Sequence, residues 1–246
     1  MTPDDLLALF ARAADAARLS LEPLKGAARR ERTEKPGQYA LDLVADAAVL
    51  PLLHDAGVTV LSEESGRSGP PDAPVTVVLD PVDGSTNCSR GIPYWSISLC
   101  ALDGDGPLCA LVANQATGVP TTAVRGKGAW RGGELVSPSA VERVEDAVIS
   151  FSGTPARRLA WKQFRSLGSA ALELCDVAAG ALDAYLTSWV SPWDYLGGML
   201  VCQEAGAAVV DAHGGELVVA DSDARRQLVA AATPALLDAV RPALPS

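Results

Sequence analysis

The chain has 246 residues, 48% of them hydrophobic, and a formal net charge of -10. That is enough apolar material for one substantial domain, and an acidic surface excludes charge-driven nucleic-acid binding. No apolar run reaches the ~18 residues of a membrane span. Met1-Thr2-Pro3-Asp4-Asp5 lacks the basic start of a signal peptide, and five scattered Cys suit free thiols in a reducing cytoplasm.

Thr2 and Pro3 read as N-cap and first residue of a helix whose apolar stripe is Leu6, Leu7, Phe10, Ala14 and Ala17. Residues 28–38, charged and broken by Pro36 and Gly37, read as a mobile loop. A helix over 42–53 puts Asp42 and Asp46 one turn apart on one face. A short strand over 58–61 leads to Glu63 and Glu64, and 66–74 reads as a loop.

The stretch 75–87 dominates the chain. Val75-Thr76-Val77-Val78-Leu79 is a buried β-branched strand that runs into Asp80, Pro81 and Asp83, followed by Gly84, Ser85, Thr86 and Asn87. Pro81 should end the strand, and Gly84 should allow a tight reversal. Two carboxylates this close repel each other unless a cation lies between them. Oxygen ligands with almost no His or Cys nearby favour Mg²⁺ or Mn²⁺ over Zn²⁺, and free N–H groups beside a metal favour phosphate. The plainer reading, a simple turn, is outweighed by matching carboxylates elsewhere in the chain.

Strands over 95–102 and 108–114 flank Asp103-Gly104-Asp105-Gly106. This turn resembles the Asp-x-Asp nucleophile of haloacid-dehalogenase-type phosphatases, but Pro107 misfits that motif and Asp-Gly between strands reads as a hairpin. Further strands are expected over 121–124, 129–131 and 147–152, then a helix over 168–179 and a strand over 182–187. A helix carrying Trp193-Asp194 ends at Gly206. Strands over 207–210, 217–220 and 227–231 precede a short helix opened by Thr233-Pro234. The two histidines, His54 and His213, lie far from the carboxylates in sequence, and Gly126-Lys127 lacks the rest of a P-loop.

Asp80-Pro81-Val82-Asp83-Gly84-Ser85-Thr86-Asn87 resembles the signature of the inositol monophosphatase family of Mg²⁺-dependent, Li⁺-sensitive phosphatases. Leu61-Ser62-Glu63-Glu64-Ser65 upstream is similar to the family's Gly-Glu-Glu segment. Trp193 to Gly206 is similar to its Trp-Asp helix, and Arg125-Gly126-Lys127-Gly128-Ala129 to a family hairpin. The resemblance implies a layered αβαβα sandwich over 1–246. Its two halves would be a metal-binding, antiparallel one (about 1–138) and a substrate-side α/β one (about 139–246). It also implies two or three Mg²⁺ per site and a homodimer.

By resemblance, Glu63, Asp80 and the Val82 carbonyl hold one metal, and Asp80, Asp83 and Asp194 a second. Ser85, Glu63 and Asp42 position the attacking water. The N–H groups of Gly84, Ser85 and Thr86 hold the phosphate, and Gly168, Ser169 and Ala170 line the alcohol side. Thr187 stands where the family's inositol enzymes carry a Glu, so the substrate, by default myo-inositol 1-phosphate, stays open to histidinol phosphate or another sugar or nucleotide phosphate. A metal-dependent binding protein without turnover is the alternative of another class.

Overall fold

A computed structural model describes residues 1–244. Helix α1 (Pro3–Leu21) starts as its sequence dictates: the Thr2 hydroxyl accepts the Asp5 N–H at 3.2 Å, and Asp5 accepts the Thr2 N–H at 2.9 Å. It packs beside α2 (Ala40–Asp55). Both cover one face of an eight-stranded sheet ordered β2-β1-β3-β4-β5-β6-β7-β8. Its strands are β1 (Thr59–Ser62), β2 (Gly66–Ser68), β3 (Thr76–Asp83), β4 (Ser96–Asp103), β5 (Gly106–Asn114), β6 (Val119–Val124), β7 (Gly128–Arg131) and β8 (Glu134–Leu135). Between β3 and β4 lies the short helix α3 (Ser85–Arg90).

The opposite face of this sheet packs on α4 (Ala170–Ala178) and α5 (Pro192–Ala205). Alternation along β3 explains the sharing: Val77 and Leu79 face α1 and α2, whereas Val78 faces α4 and α5. A second sheet, ordered β10-β9-β11-β13-β12, covers the far side of α4 and α5. It comprises β9 (Val148–Ser152), β10 (Gln163–Arg165), β11 (Ala184–Val190), β12 (Ala208–Asp211) and β13 (Arg226–Ala231). Helix α6 (Pro234–Val240), capped by the Thr233 hydroxyl, closes its outer face through Leu236, Leu237 and Val240. The result is a five-layer αβαβα sandwich. Apart from β1 with β3, the first sheet is antiparallel; β9 runs parallel to both β10 and β11 in the second.

The fold departs from the sequence reading at several places, among them the segment 66–74, read as a loop, which carries β2 (Gly66–Ser68). Pro81 does not end its strand: Asp80 pairs with Ser98 and Asp83 with Ser96, so one extra residue bulges out there. Pro81 lies in the bulge, where no ladder donor is needed. Segment 28–38 is not a bare loop; it contains a 3-10 turn over Ala28–Arg30 and an Arg32–Tyr39 bridge. Residues 217–220 form no strand; Leu217, Val218 and Ala220 are apolar because they pack on the α4–α5 core. At the Asp103–Gly106 turn the hairpin reading holds: the Asp103 carboxylate accepts the Asp105 N–H at 2.8 Å and an Arg125 hydrogen bond at 2.7 Å within the β4–β5 hairpin.

Candidate metal centre

Three segments end at one point. β1 leads into Glu63, whose N–H donates to the Leu79 carbonyl at 3.1 Å and is thereby held beside β3. β3 delivers Asp80, 2% exposed, whose Oδ1 accepts the Val82 N–H at 2.9 Å. The start of α5 delivers Asp194, which accepts the Ser191 N–H at 2.6 Å and so also caps its helix. One carboxylate oxygen from each of Glu63, Asp80 and Asp194 lies within 4.8 Å of the others. Burial, then the Asp194 charge, pushes Glu63 up to about 8. Burial, then the Asp83 charge, pushes Asp194 up to about 7, and burial with Glu63 raises Asp80 well above the carboxylate range. Three converging carboxylates that repel one another fit a hard dication, which would neutralise them together.

Asp83 goes elsewhere. Its Oδ1 accepts the Ala170 N–H at 3.1 Å, and its Oδ2 accepts the Ala171 N–H at 2.9 Å and the Ser169 hydroxyl. Ser96 adds a hydroxyl at 3.3 Å. Burial still raises its pKa, against these hydrogen bonds. Asp83 therefore anchors the start of α4, and its charge reaches the triad from one side. The reversal at Gly84 needs φ +89°, and a Cβ there would sit 2.9 Å from the Gly168 carbonyl and 3.3 Å from Ser169. Gly168, Ser169 and Ala170 thus close on Gly84 and Asp83; Ser169 is buried and commits its hydroxyl to Asp83. Asn87, whose amide donates to the Tyr94 and Leu167 carbonyls at 2.7 Å each, fastens this loop from below.

The Ser85 hydroxyl donates to the Val82 carbonyl at 2.8 Å. Asp42 lies beside it: one oxygen accepts the Tyr39 N–H at 2.8 Å, and Oδ1 is buried without a partner. Burial raises the Asp42 pKa, and the neighbouring Ser85 hydroxyl opposes this. Asp46, one turn on, instead accepts the Ser62 hydroxyl at 2.6 Å, so the geometry puts Asp42 and not Asp46 at Ser85. Thr86 is exposed next to them.

Thr187 does not reach the site. It is fully buried in β11, where a register shift turns its hydroxyl onto Leu228, accepting that N–H at 2.7 Å. An open cleft of about 650 Å³ between α1 and the β5–β6 turn contains none of the triad.

Arg32, Gln38 and Tyr39 gave no sequence signal, whereas Lys35 resembled a family lysine near the metals at poor spacing. In segment 31–39 Lys35 reaches Glu64 at 3.9 Å, Gln38 bonds Glu64, Arg32 bonds the Tyr39 hydroxyl, and that hydroxyl lies 3.3 Å from the Thr86 hydroxyl. Only the bend at Pro36-Gly37 hinted at a turn, and nothing local showed what it covers.

The fold and these motifs agree with known proteins. The profile described as the inositol monophosphatase family matches residues 8–244. A fructose-1,6-bisphosphatase/inositol-1-monophosphatase of Archaeoglobus fulgidus is 38% identical over 186 residues, covering 72% of this chain and 71% of that one. An inositol-1-monophosphatase of Mycobacterium leprae is 35% identical over 212 residues, covering 76% and 70%. A solved Pyrococcus horikoshii protein, described as similar to inositol-1 monophosphatase, superimposes with a TM-score of 0.89 at 26% identity, over 100% of both chains. With the profile spanning nearly its whole length and the carboxylates of three segments converging as described, the chain belongs to the inositol monophosphatase family.

Proposed function

We propose that this family phosphatase is a Mg²⁺-dependent phosphomonoesterase of the cytoplasm, working as a homodimer on a small phosphorylated metabolite, by default inositol monophosphate. The observation that carries the reading is the convergence of Glu63, Asp80 and Asp194 oxygens within 4.8 Å, with no salt bridge to any of the three among the described residues. Glu63, Asp80 and the Val82 carbonyl would hold one metal, and Asp80, Asp83 and Asp194 another. Asp83 is already engaged by α4 and would be shared between the two duties. Bound Mg²⁺ supplies charge neutralisation for the phosphate and a more acidic water.

The chain's own groups do the rest. The Ser85 hydroxyl, turned from Val82 towards the orphaned Asp42 Oδ1, gives that oxygen its missing donor and leaves the Ser85 lone pairs to orient water. Glu63, a member of the same carboxylate triad, would help to position that water and accept its proton. The N–H groups of Gly84, Ser85 and Thr86 would hold the phosphate oxygens. Thr187, which stands where the family's inositol enzymes carry a Glu, is buried and commits its hydroxyl to Leu228, so it supplies no contact to select a polyol. A relative acting on fructose 1,6-bisphosphate is therefore the second reading, favoured by the name of the Archaeoglobus protein. Phosphate release from a panel of phosphomonoesters, with Mg²⁺ and with EDTA, tests both. Metal-dependent release with one preferred substrate is expected; no release from any of them overturns the phosphatase reading.

A further inference from the structure

Glu173 is a fully buried carboxyl that the proposed chemistry does not use. It stands in α4 among Ala170, Ala171, Leu172, Leu174 and Cys175, all buried. Among the described residues no salt bridge reaches it. Burial, the largest effect, pushes its pKa up to about 7. Its Oε2 and the hydroxyl of Tyr185, on which its charge acts, are both buried without a hydrogen-bond partner. An apolar side chain of similar size would suit this position at least as well for folding alone.

The carboxyl grips the loop that precedes α4. Its Oε1 accepts the Leu167 N–H at 3.2 Å and the hydroxyl of Ser150, from β9. The Leu167 carbonyl in turn accepts the Asn87 amide at 2.7 Å. Leu167 is thus held from two sides, by α4 through its N–H and by α3 through its carbonyl. The next carbonyl, that of Gly168, lies 2.9 Å from where a Cβ on Gly84 would stand. Ser169 then gives its hydroxyl to Asp83. Asn87 and Asp83 tie the loop to the strand end and the phosphate turn; Glu173 ties it back to the second sheet. We infer that Glu173 is a positioning residue: through Leu167 it sets the gap between the Gly168–Ala170 wall and the Gly84 turn, and so the placement of the substrate's alcohol group. This inference rests on the phosphatase reading above, which gives the turn to the phosphate and the wall to the alcohol.

The test compares wild type with Glu173→Leu, which removes the acceptor and keeps the bulk, and Glu173→Gln, which keeps an acceptor oxygen. Kinetics are read on myo-inositol 1-phosphate and fructose 1,6-bisphosphate with Mg²⁺, together with inhibition by inorganic phosphate, which reads the turn without the alcohol. Glu173→Leu is expected to melt no lower than wild type yet to lose about 10-fold or more in kcat/KM, the scale of a misplaced reacting group. Phosphate inhibition and the half-activating Mg²⁺ concentration should barely move, and Glu173→Gln should recover most of the loss. An unchanged kcat/KM, or a fall shared by phosphate inhibition and Mg²⁺ activation, overturns the inference. If Glu173→Leu does not fold, Ser150→Ala loosens the same carboxyl and should show the same split at smaller size; no split there overturns the inference equally. Amide exchange over residues 165–169 needs no turnover and should quicken in the variant that folds; equal protection overturns the inference whatever the rates. No turnover by wild type, with faster exchange in the variant, would overturn the phosphatase reading and leave Glu173 as the brace of this loop.

Discussion

Asp80 and Asp83 are three residues apart on one strand, and the fold gives them opposite surroundings. Asp80 meets two other carboxylates and accepts one hydrogen bond, from Val82. Asp83 meets two backbone N–H groups and two hydroxyls at the start of α4. Both are buried. The difference teaches that the cost of a buried carboxylate depends on its donors as well as its depth. One region of the strand end is built to await a cation; the other is already complete and fixes the geometry of the first.

Removing a charge should therefore act with opposite sign at the two positions. Asp80→Asn is expected to lower kcat with Mg²⁺ by about 10³-fold or more while raising the melting temperature of the metal-free protein. Equal or lower metal-free stability would remove the repulsion argument. The paired hydroxyls sharpen the same contrast. Ser85→Ala should lower kcat about 10²-fold with little change in melting temperature, because Ser85 is only partly buried. Ser169→Ala should show the reverse emphasis, since its hydroxyl serves Asp83.

Asp83→Asn replaces an acceptor of four hydrogen bonds by a group that must also donate. A loss of roughly 2–3 kcal/mol in denaturant unfolding is expected even without metal. Gly84→Ala probes the hinge between the regions. The positive φ and the 2.9 Å approach to the Gly168 carbonyl should cost about 2 kcal/mol, and full stability would mean that the loop can shift freely.

The smallest effect is on pH dependence. Glu63 at about 8 and Asp194 at about 7 are raised above their unfolded values. Each stabilises the metal-free fold at low pH, and that contribution fades as pH rises through its folded pKa. The melting temperature without metal should fall by roughly 5 °C between pH 5 and pH 8. Saturating Mg²⁺ should cancel the fall, and Asp194→Asn should flatten it. A metal-free protein that stabilises over this range would contradict the assigned environments.

Much of this contrast was legible in sequence, and its limits are instructive. The β-branched run from Val75 to Leu79 placed a doubly buried strand, and the carboxylates behind Leu61, Leu79 and Trp193 marked three element ends. Asp-Pro-Val-Asp did not reveal that its two acids diverge, because the bulge at Pro81 re-aims one of them. The choice between Asp42 and Asp46 was equally closed to helical spacing, which puts both on one face; only the packing of α2 against Ser62 and Ser85 separates them. The resemblance placed Thr187 where the family's inositol enzymes carry a Glu, and only the structure shows its hydroxyl accepting the Leu228 N–H.

By itself the sequence determined the capped start of α1, the turn at Gly84 and the acids at the element ends, because caps and turn chemistry act over a few residues, while the layered architecture followed from the family resemblance of its motifs. The tertiary structure alone decided which oxygens face one another, that Asp83 anchors α4, and that Arg32 lies over the Tyr39 ring. Those are contacts between segments tens of residues apart, and no local propensity encodes a distance across the fold.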